Sequence, residues 1–218
     1  MISGASVIWR AAGTFAMFAA LLPALTSAPN AQGSNTPAIF LVATRSLSDP
    51  LFQHSVIVML PSAPPPLIAG LIINKPTTIS VRQLFPNAPT LKNSETAYFG
   101  GPVDPSDPSL VLRAANSPQG ASRLFADIYA STDPDAIEGI LKDPKRAENL
   151  RVIIGRAQWS REQLHGEMLQ GAWYIVPANA DMVFSSDPEG VWRSLVQRAE
   201  LQEVEAAGTS ALFLPVGA

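Results

Sequence analysis

Short apolar runs separated by Pro, Gly, Ser and Asp set the rhythm of the chain from residue 39 onward. Ile39–Ala43 is an unbroken apolar run and reads as a buried strand. Ser55–Leu60 and Leu67–Ile73 read as two more strands, the second carrying Gly70 inside it, the mark of a bulge or a close backbone approach. Leu110–Arg113, Leu124–Tyr129, Leu150–Ile154 and Ala172–Val176 follow the same pattern. Between them, Ser46–Pro50 is a turn, Pro61–Pro66 a proline-rich loop, and Thr96–Phe99 runs into a sharp Gly100-Gly101-Pro102 turn.

Helices announce themselves by their ends. Ser80–Phe85 reads as a short one. Asp133 with Pro134 in the first turn opens another, to about Leu141. Ser160-Arg161-Glu162-Gln163 is a capping box, in which the Ser oxygen accepts from a free backbone N–H of the first turn and the Gln reaches back. That helix should run to Gln170 and stop at Gly171. Asp187-Pro188-Glu189 opens the last helix, through about Glu200, and a tail without strong period fills 201–218. Strands and helices do not alternate regularly, so the expected class is α+β rather than a doubly wound sheet.

The first 31 residues break this rhythm. Arg10 is their one charge; Ala11–Leu25 is apolar but for Gly13, Thr14 and Pro23; small and polar residues follow from Thr26 to Gln32. Positive, apolar, then small is the order of a secretory signal. The expectation is a signal peptide over 1–31, with cleavage after Ala28 or Ala31, a linker over 32–38, one domain over 39–200 and a tail over 201–218. It places the protein in the periplasm or otherwise outside the cytoplasm. The alternative is an inner-membrane anchor over residues 7–25.

Composition narrows the chemistry. The chain of 218 residues is 47% hydrophobic and 15% charged, enough apolar material for one sizeable core. It has no cysteine, which removes disulfides, thiol catalysis and thiolate metal sites. Lys and Arg number 15 against 18 Asp and Glu, scattered rather than in blocks. Nucleic acid is therefore a disfavoured partner, since phosphate contacts need a basic footprint. No phosphate-binding glycine loop, G-x-S-x-G elbow or S-x-x-K is present, and neither His54 nor His165 sits in H-E-x-x-H. No cofactor and no metal are called for.

Four segments stand out together: Asp49-Pro50-Leu51-Phe52 with Ser55-Val56; Gly70 through Pro76, including Asn74 and Lys75; Gly100-Gly101-Pro102-Val103; and Gly155 through Trp159, with Gln163, Leu164, Glu167, Gly171 and Trp173. In this order and spacing they resemble the YqgE/AlgH family of bacterial proteins, over roughly Ile39 to Ala199. The resemblance implies an α+β fold with a bifurcated mixed sheet, partly barrel-like and flanked by helices. The family has no agreed biochemical activity and is usually labelled a transcriptional regulator. This sequence departs from the family pattern at Arg156 and Gln158, at Ser160-Arg161-Glu162, and in the Pro61–Pro66 loop.

Each candidate site residue has a binding and a structural reading. Asn74 either holds a ligand through its amide or closes a turn. Gly100 and Gly101 either offer backbone N–H groups to an anion or make a tight turn. Gln163 and Glu167 lie one helical turn apart, beside the apolar stripe of Leu164 and Met168; with Trp159 and Trp173 they either line a pocket or form a buried hydrogen-bond network. His165 is expected to be a half-buried packing residue. No catalytic set is assigned. The leading functional expectation is a non-catalytic envelope protein that binds a small ligand or a protein partner. The alternatives are an unclassified enzyme with a pocket near Asn74, Gln163 and Glu167, and the family's regulatory label.

Overall fold

The computed structural model describes residues 38–61, 67–88, 95–143 and 149–212, with side chains of the last helix described to Ala206. The expected signal segment, and all but Pro61 of the Pro61–Pro66 loop, lie outside the described residues. The described residues belong to one compact unit, Thr36–Ala218.

Four strands open the domain: β1 (Ile39–Ala43), β2 (Val56–Met59), β3 (Leu67–Ile72) and β4 (Pro76–Ser80). A one-turn helix, α1 (Val81–Leu84), starts on a Ser80–Gln83 capping box. Then come β5 (Thr96–Phe99), β6 (Val103–Arg113), β7 (Ser122–Phe125), β8 (Ile128–Ser131), α2 (Pro134–Lys142), β9 (Leu150–Ser160), α3 (Arg161–Leu169), β10 (Trp173–Pro177), α4 (Ala180–Val183) and α5 (Pro188–Leu212). The main path through the sheet runs β10-β1-β2-β3-β9-β6-β8-β7, with β4 and β5 branching from it. It curls into a half-barrel, mostly antiparallel and accompanied by five helices, an α+β architecture as expected.

The eleven-residue β9 is where the sheet divides. Its first half pairs antiparallel with β6 and, at Ile153 and Ile154, parallel with β5; its second half pairs antiparallel with β3. The change of partner falls just after Gly155, which has φ of 70°: Arg156 still pairs with Val103 of β6, and Ala157 pairs with Gly70 of β3.

Side chains alternate across each strand, and here both faces are covered, which is why the strands read as unbroken apolar runs. On β1, Phe40 and Val42 join the core beneath α5, built from Val191, Trp192, Leu195 and Val196. Leu41 and Ala43 join a second core with Trp159 and Trp173, against which Leu164 and Met168 of α3 pack. A third core gathers Leu110, Leu112, Tyr129 and Val152 beneath Ile137 and Leu141 of α2.

Several expectations are corrected. Leu124–Tyr129 is not one strand but the tight β7–β8 hairpin, turning at Ala126 with φ of 42°. Strand β6 begins at Val103, well before Leu110, because a register shift between Val103 and Pro108 accommodates its prolines. Strand β9 continues past Ile154 to Ser160. The last helix runs on to Leu212 instead of ending near Glu200. His165 is exposed, not half-buried, because it lies on the outer side of α3 while Leu164 faces the core. No helix among the described residues is long and apolar enough to cross a membrane.

Candidate functional site

Two of the four sequence segments, the first and the last, converge on one knot of side chains. Asp49 closes the first turn by accepting from the N–H groups of Leu51 at 2.8 Å and Phe52 at 3.2 Å. This presents the Phe52 ring to both tryptophans. Phe52, Trp159 and Trp173 sit with ring centroids 6.0 Å apart in every pairing, two of the three contacts being edge-to-face. Trp159 comes from the end of β9 and Trp173 from the start of β10, and both are almost fully buried.

Glu167 holds the two indoles together. Its Oε2 accepts from Trp159 Nε1 at 3.0 Å and from Trp173 Nε1 at 2.8 Å, while Oε1 accepts from Gln163 Nε2 at 3.2 Å. The helix that carries them is fixed at both ends. The Ser160 hydroxyl accepts from Gln163 N at 3.1 Å, and Gly171, with φ of 69°, follows the last turn. The Gln163 side chain bonds Glu167 rather than reaching back to the cap.

Asn74 is spent elsewhere. Buried at the end of β3, its Oδ1 accepts from Val56 N at 2.7 Å, and its Nδ2 donates to His54 O at 2.9 Å and Pro188 O at 3.2 Å. It thus ties β2, the preceding turn and the start of α5 to one point. Lys75 beside it donates to Leu51 O at 2.8 Å, and burial lowers its pKa. No hydrogen bond among the described residues joins Asn74 to Gln163 or Glu167.

Gly100 and Gly101 press against the bend of β9. Gly100 donates its N–H to Ile154 O at 2.8 Å and accepts from Ile72 N at 3.0 Å. A Cβ on Gly101 would stand 2.2 Å from Ala157 N, and one on Gly155 would stand 2.3 Å from Gly101 O. The pair is a backbone-to-backbone contact that only glycine permits.

Sequence reasoning passed over one feature. Arg151, second in the apolar run Leu150–Ile154, is 7% exposed. Its guanidinium lies 4.2 Å from the Tyr98 ring centroid and donates to Ile73 O and Ser185 O, and burial lowers its pKa. It borders a cavity of about 280 Å³. A concavity of about 810 Å³ lies between α2 and the loop before β7. None of the seven sequence candidates lines either space. Among the described residues no group of three His, Asp or Glu is placed to hold a metal ion.

What the geometry defines is a sheet-dominated α+β domain whose signature residues fasten its own elements to one another. The chain belongs to the AlgH-like (DUF179) family, whose profile matches residues 40–203. It is 31% identical to a UPF0301 protein of Thermobifida fusca over 72% of this chain and 84% of that one. It is 30% identical to the UPF0301 protein YqgE of Escherichia fergusonii over 71% and 86%. The solution structure of the AlgH protein from Pseudomonas aeruginosa superimposes with a TM-score of 0.61 at 25% identity, covering 77% of this chain and 91% of that one. Protein DIP2367 of Corynebacterium diphtheriae shares the fold at a TM-score of 0.60.

Proposed function

We propose that this chain is an exported, non-catalytic member of the AlgH-like family that acts in the cell envelope by binding. The observation that carries the non-catalytic reading is the engagement of Glu167. Both of its oxygens are occupied by donors from the same chain, and the two indoles it serves are packed in the core. A general acid or base must reach a substrate proton, and both oxygens of this carboxylate already accept from the chain's own donors. Asn74, with three internal hydrogen bonds, supports the same reading. The export half rests on the positive, apolar and small order of residues 1–31.

Fractionation of cells making a C-terminally tagged full chain, with N-terminal sequencing, tests export. The expected product lies in the envelope or periplasmic fraction with a new N-terminus after Ala28 or Ala31. An intact Met1 on a cytosolic protein overturns it. Robust turnover in a broad hydrolase screen, lost on Glu167→Ala, overturns the non-catalytic half.

A further inference from the structure

We propose that Arg151 forms the charged wall of a small pocket that takes a monocarboxylate ligand. The inference deepens the binding reading above and rests on it. On β9, Val152 points to the core under α2, whereas Ile153 points to the core under α5. By strand alternation Arg151 shares the Ile153 face, so a guanidinium enters the margin of an apolar core.

Its partners satisfy geometry without cancelling charge. Two of its five N–H groups serve the carbonyls of Ile73 and Ser185, and its face lies on Tyr98. None of the ion pairs among the described residues includes it. A charge this buried is ordinarily paired with an opposite one.

The cavity of about 280 Å³ beside it has the character of an anion site with an apolar side. Thr96, Asn149 and Ser186 supply neutral hydrogen-bonding groups, and Val81 and Phe184 supply apolar surface. Arg matches carboxylate geometry through its planar fork. Phosphate has no apolar end to meet Val81 and Phe184, whereas a carboxylate on a short alkyl chain offers both a planar anion and an apolar tail, which selects the carboxylate over phosphate. Ser185 and Ser186 belong to the link between α4 and α5, so occupation would be felt at the start of α5.

The test is an NMR titration of the full chain with sodium butyrate, butyramide and inorganic phosphate, following backbone resonances of residues 96–98 and 184–186. Butyrate should bind at least tenfold more tightly than butyramide or phosphate. Arg151→Met should weaken butyrate at least tenfold. Ser186→Leu, which fills the space without removing either Arg151 hydrogen bond, should do the same in a chain with unchanged dispersion elsewhere. If Arg151→Met fails to fold, the Ser186→Leu result decides. Equal shifts from butyrate and butyramide, tighter binding of phosphate, or undiminished butyrate binding in Ser186→Leu overturns the assignment. Such a failure would leave the non-catalytic reading standing, since that reading falls on turnover and not on this titration.

Discussion

At Glu167, one carboxylate oxygen serves two indole N–H groups, and the surrounding rings exclude water from both. Trp159 and Trp173 are 2% and 5% exposed, so a leucine at this position would leave two buried donors unmatched. Each such donor costs about 1–3 kcal/mol. Glu167→Leu should therefore lower stability by about 2–5 kcal/mol. Glu167→Gln keeps an acceptor for the indoles, and Gln163 can turn its amide to meet the new one. It should lose only about 1–2 kcal/mol, the gap between charged and neutral hydrogen bonds. Urea unfolding followed by tryptophan emission measures both, and equal losses would contradict the clamp. Asn74→Asp makes the complementary case. It keeps the acceptor for Val56 N but loses the donor to His54 O and Pro188 O while burying a charge. A loss of about 3 kcal/mol or more is expected in the same assay.

At the scale of elements, the glycines sort into two kinds. Gly101 has φ of 145° and no room for a Cβ against Ala157 N and the Arg156 carbonyl. Gly101→Ala would have to pry the Gly100–Gly101 turn from the bend of β9, where the sheet divides, and should abolish soluble expression. Gly139 and Gly166, inside α2 and α3, face open space. Alanine there should raise stability by about 0.5–1 kcal/mol each, through helix propensity and a less disordered unfolded chain. Soluble yield checks Gly101→Ala and thermal melts check the other two variants, and a destabilised Gly139→Ala would count against the helix packing described. The same elements show what was legible in the sequence. Strands buried on both faces leave apolar runs, and helices with side-chain caps leave Ser80, Asp133-Pro134, Ser160 and Gly171, so these were found. The first half of β6 was hidden because Pro105, Asp107 and Pro108 read as a loop, and only the bulged pairing with β9 makes them strand. The β7–β8 turn was hidden because Ala126 takes a positive φ that Gly or Asn would have advertised. The Glu167 knot was half legible. The four-residue spacing from Gln163 put both groups on one face, but that one oxygen meets two indoles depends on the curl of the sheet, which brings Trp159 of β9 and Trp173 of β10 into one core although three strands separate them. Arg151 was legible only as an oddity in an apolar run, since its burial is fixed by Tyr98 and Ser185, 53 and 34 positions away.

Across the whole molecule, the last helix closes what the first strands begin. Trp192 of α5 is buried against β1, donates Nε1 to Ala43 O at 2.8 Å, and carries the His54 ring stacked on it at 3.9 Å. Val191, Leu195, Val196 and Ala199 complete a stripe over residues drawn from β1, β2, β3, β6, β8, β9 and β10. The stripe ends there. From Leu201 to Ala206 every residue is exposed, including Leu201 at 58% and Val204 at 70%. The helix is therefore a lid over the principal core for its first three turns and an extension without core contacts through Ala206. Two variants separate these parts. Trp192→Ala removes a large buried ring and one hydrogen bond, and should cost about 3–5 kcal/mol. At this domain size that corresponds to a fall in Tm of about 2–4 °C for each kcal/mol. The double variant Leu201→Ala/Val204→Ala should keep its Tm within about 2 °C, because both side chains are exposed. Circular dichroism melts of both proteins give the answer. If the double variant melts as low as Trp192→Ala, this part of α5 carries weight in the fold, and the exposed Leu201 and Val204 are not the bystanders their surroundings suggest.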